Sequence, residues 1–153
     1  MDPITICGLL GLLATSYAIY VEKMTKYSKQ YAAVCDISDR ISCTRVLKSP
    51  YSRLTGLTFN LPKESIFNVP NTYYGILFYL AVCIYPLYPF TLIPLREILL
   101  LCAASFSVIL SFILAGILYF KLKNCCVICV VTYFINMAIF FNSISEIKTR
   151  FFY

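Results

Sequence analysis

Four long stretches of this chain carry no charge, and they dictate the solvent in which it folds. Residues 3–21, 65–95, 98–120 and 124–145 contain no Asp, Glu, Lys or Arg. A helix needs ~20 apolar residues at 1.5 Å rise to cross ~30 Å of hydrocarbon. The composition agrees: 60% hydrophobic and only 13% charged is far too apolar for a water-soluble domain of 153 residues. The expectation is an all-α membrane protein, a four-transmembrane-helix bundle forming one integral membrane domain over residues 1–153. Its spans fall at about 4–21, 73–93, 98–120 and 126–145. The first stretch reads as a helix rather than a signal peptide, because it lacks a basic leader and no small-x-small site precedes Glu22.

An even number of spans puts both termini on one side of the membrane. It puts the polar loop of residues 22–71 and the turn at 121–124 together on the other. That loop is the one long polar segment. Residues 22–31 read as the first helix continuing beyond the membrane. Asn60–Phe67 reads as a short helix with Pro62 at its first position, capping the bundle. Pro86, Pro89 and Pro94 end the second helix near Tyr85, and Arg96-Glu97 opens the third. Orientation is contested within the sequence. The loop side holds ten Lys and Arg residues, among them Lys23, Lys26, Arg40, Arg45, Lys48 and Arg53. A positive-inside reading puts these in the cytosol. Paired cysteines belong instead in an oxidising compartment.

The cysteines carry the chemistry. Cys126 and Cys129 form a C-x-x-C at the start of the last apolar stretch, and Cys35 and Cys43 sit in the loop. Cysteines at i and i+3 of a helix N-terminus share one face, and the helix dipole there favours the reactive thiolate. Thr132, Tyr133 and Asn136 follow. Tyr133 and Asn136 lie on the face of Cys129, where a phenol can hydrogen-bond a quinone oxygen or simply pack helices together. As a permanent staple the loop pair would stabilise by ~2–3 kcal/mol. As a relay, Cys43 would leave Cys35 and attack Cys126. The loop spacing and the lack of histidine argue against a zinc site, so no metal is expected. Cys7, Cys83 and Cys102 read as core residues. Cys125 abuts the C-x-x-C and either packs or exchanges with it.

These motifs resemble the vitamin K epoxide reductase family. The segments that carry the likeness are Cys35–Val46, with its C-D-x5-S-C-T-R-V pattern, Ser65–Gly75, and C-V-I-C-V-V-T-Y over Cys126–Tyr133. The likeness spans nearly the whole chain, although Cys125 stands where the family carries an aromatic residue. It implies a bundle around a quinone pocket in the endoplasmic reticulum membrane, with the loop and the C-x-x-C facing the lumen. It implies reduction of vitamin K 2,3-epoxide to the quinone and of the quinone to the hydroquinone. Carried over, Cys126 and Cys129 are the catalytic pair, and Cys35 and Cys43 relay electrons to them. Asn71 and Tyr133 match the residues that hydrogen-bond substrate and coumarin-type inhibitors. Val46, Tyr74, Phe78, Leu114, Leu118 and Leu122 fall where the pocket walls would be. The electron donor implied is a lumenal thioredoxin-fold oxidoreductase, of protein disulfide isomerase type or membrane-anchored. Vitamin K, a dithiol reductant and membrane lipid complete the set; no permanently bound cofactor and no nucleic acid is expected. The alternatives are a quinone-linked protein-thiol oxidase and a non-enzymatic membrane scaffold whose cysteines are staples.

Overall fold

A computed structural model describes every residue except 1, 29, 55–57, 61, 63, 64, 66, 88, 89 and 153, with backbone only at 90 and 150–152. Among the described residues the fold is helical, and the only extended pairings are two isolated bridges, Ser38 with Ile41 and Ile41 with Cys125. Helix α1 (Pro3–Tyr27) opens on a proline, whose missing N–H costs nothing in the first turn. It runs past the apolar stretch into the polar residues that follow Val21, as their composition predicts. The loop contributes α2 (Cys43–Lys48) and a 3-10 turn (Pro50–Arg53). Then come α3 (Asn71–Ile84), α4 (Arg96–Ile117), drawn on by a π turn (Leu118–Leu122), and α5 (Val127–Phe152).

Three helical stretches, Pro3–Tyr27, Arg96–Leu122 and Val127–Thr149, are long and apolar enough to cross a membrane. The fourth is shorter than the stretch that hydropathy marks out. At 14 residues α3 is about 21 Å long, and it stops at Ile84 rather than running on to residue 93. Pro86 explains the stop, because a proline there leaves no N–H for the next helical bond. The freed end is satisfied from the next helix. Arg96 donates to the Tyr85 carbonyl at 3.1 Å, sits 4.7 Å over the Tyr85 ring and pairs with Glu97 at 3.1 Å. Half of the short helix read over Asn60–Phe67, residues 61, 63, 64 and 66, lies outside the described residues.

Helix α1 packs against α3 and α5, and α4 packs against α5. The packing makes two cores. One, at the loop end, gathers Ala18, Val21, Ala33, Cys43, Val46, Leu47, Leu118, Cys126 and Ile128. The other gathers Ile4, Tyr79, Val82, Leu100, Ala104 and Ile139. Gly11 makes the second core possible, since a Cβ there would overlap the Tyr79 ring. A polar ladder crosses the same level: Tyr79 donates to Asn136 at 2.8 Å, and Asn136 donates to the Ser111 hydroxyl at 2.9 Å. Ser111 in turn donates to the Ser107 carbonyl at 2.8 Å. Polar groups at membrane depth that pair with one another in this way hold helices together.

Candidate active site

The start of α5 builds the inner thiol pair. Cys126 is its N-cap: its carbonyl accepts the first helical bond from Val130 at 3.0 Å. Its sulfur takes the role that a serine oxygen usually fills, accepting the Cys129 N–H at 3.3 Å. The same turn brings the Cys126 and Cys129 sulfurs within 2.6 Å of each other. Cys126 is fully buried and Cys129 partly so. Above them Lys123 turns the chain from α4 into α5 with a left-handed φ of 49°.

The loop dithiol is seated on this helix start by backbone. Cys125 donates to the Arg40 carbonyl at 2.8 Å and accepts the Ser42 N–H at 3.0 Å. This two-bond clasp lays the segment before Cys43 alongside the residue before Cys126. Cys43 is fully buried, in the same core as Cys126, with Cys35 and Cys129 packed at its margin. Cys35 and Cys43 form a disulfide, with Cα atoms 6.0 Å apart.

One carboxylate holds the loop turn. Asp36 Oδ1 accepts from the Ser42 hydroxyl at 2.9 Å and the Thr44 N–H at 3.1 Å. Its Oδ2 accepts from the Ala33 N–H at 3.0 Å and the Thr44 hydroxyl at 2.5 Å. Desolvation alone would raise its pKa. The bonds from Thr44, Ser42 and Ala33 outweigh it and hold the carboxyl below the usual carboxylate range.

The substrate-facing residues read from sequence separate into groups. Val46 and Leu118 are buried in the cysteine core, and Leu122 packs on it. Leu114 lies half-buried on α4, one turn before Leu118. Phe78 packs into the second core. Tyr74 is exposed, its hydroxyl donating to the Phe67 carbonyl at 2.9 Å. Asn71, the first residue of α3, donates to the Tyr51 carbonyl at 3.0 Å and accepts the Leu54 N–H at 3.1 Å. That leaves one N–H and one lone pair on the amide. The Tyr133 hydroxyl makes no hydrogen bond among the described residues, so its donor stands open. Phe134 is 74% exposed and points out of the bundle. Asn136, on the same stripe as Tyr133, serves the interhelical ladder instead.

The profile of the vitamin K epoxide reductase family matches residues 3–144. The chain belongs to the vitamin K epoxide reductase family. It is similar to vitamin K epoxide reductase complex subunit 1 of Mus musculus, at 35% identity over 150 residues. The subunit 1 protein of Rattus norvegicus is 34% identical. Each alignment covers 93% of this chain and 89% of the relative. Family membership makes the chain an oxidoreductase and a multi-pass membrane protein.

Within this family member, two features escaped the reading of residue types. The clasp at Cys125 is made by backbone atoms and leaves no side-chain signal. The Tyr17 hydroxyl is buried beside the cysteine core with no partner among the described residues. That hydroxyl is one of several in the uncharged stretch of α1, with those of Thr5, Thr15, Ser16 and Tyr20, so nothing in the sequence singles it out.

Proposed function

We propose that this chain reduces vitamin K 2,3-epoxide to vitamin K quinone, and the quinone to the hydroquinone, at Cys126 and Cys129. The observation that carries this reading is the burial of Cys43 and Cys126 in one core, under a backbone clasp that joins their segments. In the reducing stroke a thioredoxin-fold donor opens the Cys35–Cys43 disulfide. The Cys43 thiolate attacks Cys126, breaking the Cys126–Cys129 disulfide and releasing the Cys129 thiolate. Cys35 then attacks Cys43, re-forming the loop disulfide and freeing Cys126. Two electrons have moved inward.

In the substrate stroke the inner dithiol returns to a disulfide, giving up two electrons and two protons. The epoxide takes both and loses its oxygen as water; the quinone takes both and becomes the hydroquinone. Cys129, the less buried of the two and one turn before Tyr133 on α5, is the sulfur that meets the substrate. The open Tyr133 donor and the remaining N–H of Asn71 stabilise charge developing on the substrate oxygens in a water-poor site. Val46, Leu114, Leu118 and Leu122 form the near wall for the ring, with Tyr74 and Phe78 further along. Coumarin-type inhibitors occupy the same place. The outward-facing Phe134 leaves that pocket unobstructed. We place the chain in the endoplasmic reticulum membrane with four crossings as one domain, the short α3 serving as the second. The loop and both thiol pairs face the lumen.

The test uses membranes carrying the chain, a dithiol reductant and vitamin K epoxide, with quinone followed by chromatography. Product that disappears in Cys129→Ala is the expected result. Full turnover in that variant would overturn the assignment.

A further inference from the structure

The C-D-x5-S-C-T pattern contains three polar residues, Asp36, Ser42 and Thr44, that take part in neither stroke. In the fold they form one unit. Asp36 follows Cys35, while Ser42 and Thr44 flank Cys43. Three of the four hydrogen bonds onto the Asp36 carboxylate, from Ser42 and Thr44, therefore tie one arm of the turn to the other beside the disulfide, and the fourth, from Ala33, anchors the carboxylate on its own arm. Ser42 extends the tie in two directions. Its hydroxyl accepts the Arg45 N–H at 3.2 Å, capping α2, and its N–H donates to Cys125.

We propose that Asp36 is a positioning residue: its carboxylate keeps the Cys35–Cys43 turn closed once the disulfide is reduced, so that Cys43 stays presented to Cys126. This rests on the relay described above. The relay contains a moment when both loop cysteines are thiols and no covalent bond closes the turn. A freed turn of this length regains conformational entropy at every residue, and Cys43 would leave its seat in the core. Hydrogen bonds to a charged acceptor survive reduction unchanged, since none of them involves sulfur. A carboxylate is the one short side chain that accepts from all four donors. An amide of the same shape turns an NH2 toward donors and breaks half of the set.

The experiment compares two reductants on the full-length chain in membranes. One is a thioredoxin-fold protein dithiol, which must enter through Cys35. The other is dithiothreitol, small enough to meet the partly exposed Cys129 disulfide directly. In Asp36→Asn, turnover driven by the protein donor is expected to fall about tenfold or more, the usual consequence of losing charge-assisted hydrogen bonds. Dithiothreitol-driven turnover should fall far less, which also certifies that the variant folds. Equal loss with both reductants would make Asp36 merely structural and overturn the proposal; no loss with either would overturn it too. Cys43→Ala belongs in the same assay. If Cys43→Ala keeps protein-driven turnover, the relay itself fails. If Cys43→Ala loses turnover and Asp36→Asn keeps it, only the role of Asp36 fails. A second readout needs no substrate. In a chain lacking Cys35 and Cys129, oxidation joins Cys43 to Cys126, and peptide mapping gives the rate. Asp36→Asn should slow that joining, and an unchanged rate would overturn the proposal.

Discussion

The two cores of this bundle solve different problems. The core around Tyr79 and Ile139 is made of side chains that never change partners: a ring seated on a glycine, aliphatic contacts, and a ladder from Tyr79 to Ser107. The core around Cys43 and Cys126 holds, among its aliphatic side chains, the sulfurs that change partners in the relay we propose. Its fixed ties lie at the rim, in the Asp36 carboxylate and the backbone clasp at Cys125. A region whose bonds must exchange cannot rely on them for shape, so its geometry is held by neighbouring groups that take no part in the exchange.

The comparison can be broken most sharply at the thiols. Cys126→Ala and Cys129→Ala are expected to reduce epoxide turnover to background. Cys129→Ala should leave the melting temperature of the purified protein nearly unchanged, and Cys126→Ala should cost only the helix cap, about 0.5–2 kcal/mol. A large loss of stability would mean that the thiol core is structural after all. Next in size is Gly11→Ala at the other core. Its Cβ collides with the Tyr79 ring, and relief of such overpacking typically costs about 1–3 kcal/mol. Thermal unfolding should register the loss, and residual activity should track the folded fraction. Asn136→Ala removes one rung of the ladder, and an interhelical hydrogen bond in a membrane is worth about 0.6–1.7 kcal/mol. The same melting assay should show this smaller drop, with activity per folded molecule retained. A drop in specific activity would move Asn136 from packing to chemistry.

The smallest effect is a pH dependence. Asp36 titrates lower in the folded loop than in an unfolded one. Its stabilising contribution is therefore complete above the ordinary carboxylate range and is lost as pH falls through its lowered folded value. Proteolytic nicking of the reduced loop should rise along that acid limb. In Asp36→Asn it should be fast already at neutral pH, with the limb gone.

Much of this was written in the sequence, because hydropathy and cysteine spacing are local signals. The apolar runs place α1, α4 and α5, and Pro86 foretells the end of α3 near Tyr85. The C-x-x-C at a helix start foretells two sulfurs on one face, and the structure puts them 2.6 Å apart. What stayed hidden depends on partners distant in the chain. Asn71 spends one N–H and one lone pair on the backbone of Tyr51 and Leu54, which no spacing rule reveals. Phe78 lies on the same helix as Asn71 yet packs in the other core, because helical rotation and depth together choose the neighbour. Asp36 looked like one charge in a polar loop. Its meaning appears only when the turn brings residues 33, 42 and 44 around it.

The clasp at Cys125 also bears on the order of assembly during synthesis. Cys35 and Cys43 are eight residues apart and can find each other as soon as the loop emerges. Cys125 and Cys126 lead into α5 and Cys129 lies in its first turn, about 80 residues later. The loop pair can therefore close before Cys126 and Cys129 have been made, and the seat that lays the two segments together forms only when α5 enters. The meeting of the Cys43 and Cys126 segments is in this way one of the last contacts of the bundle to form.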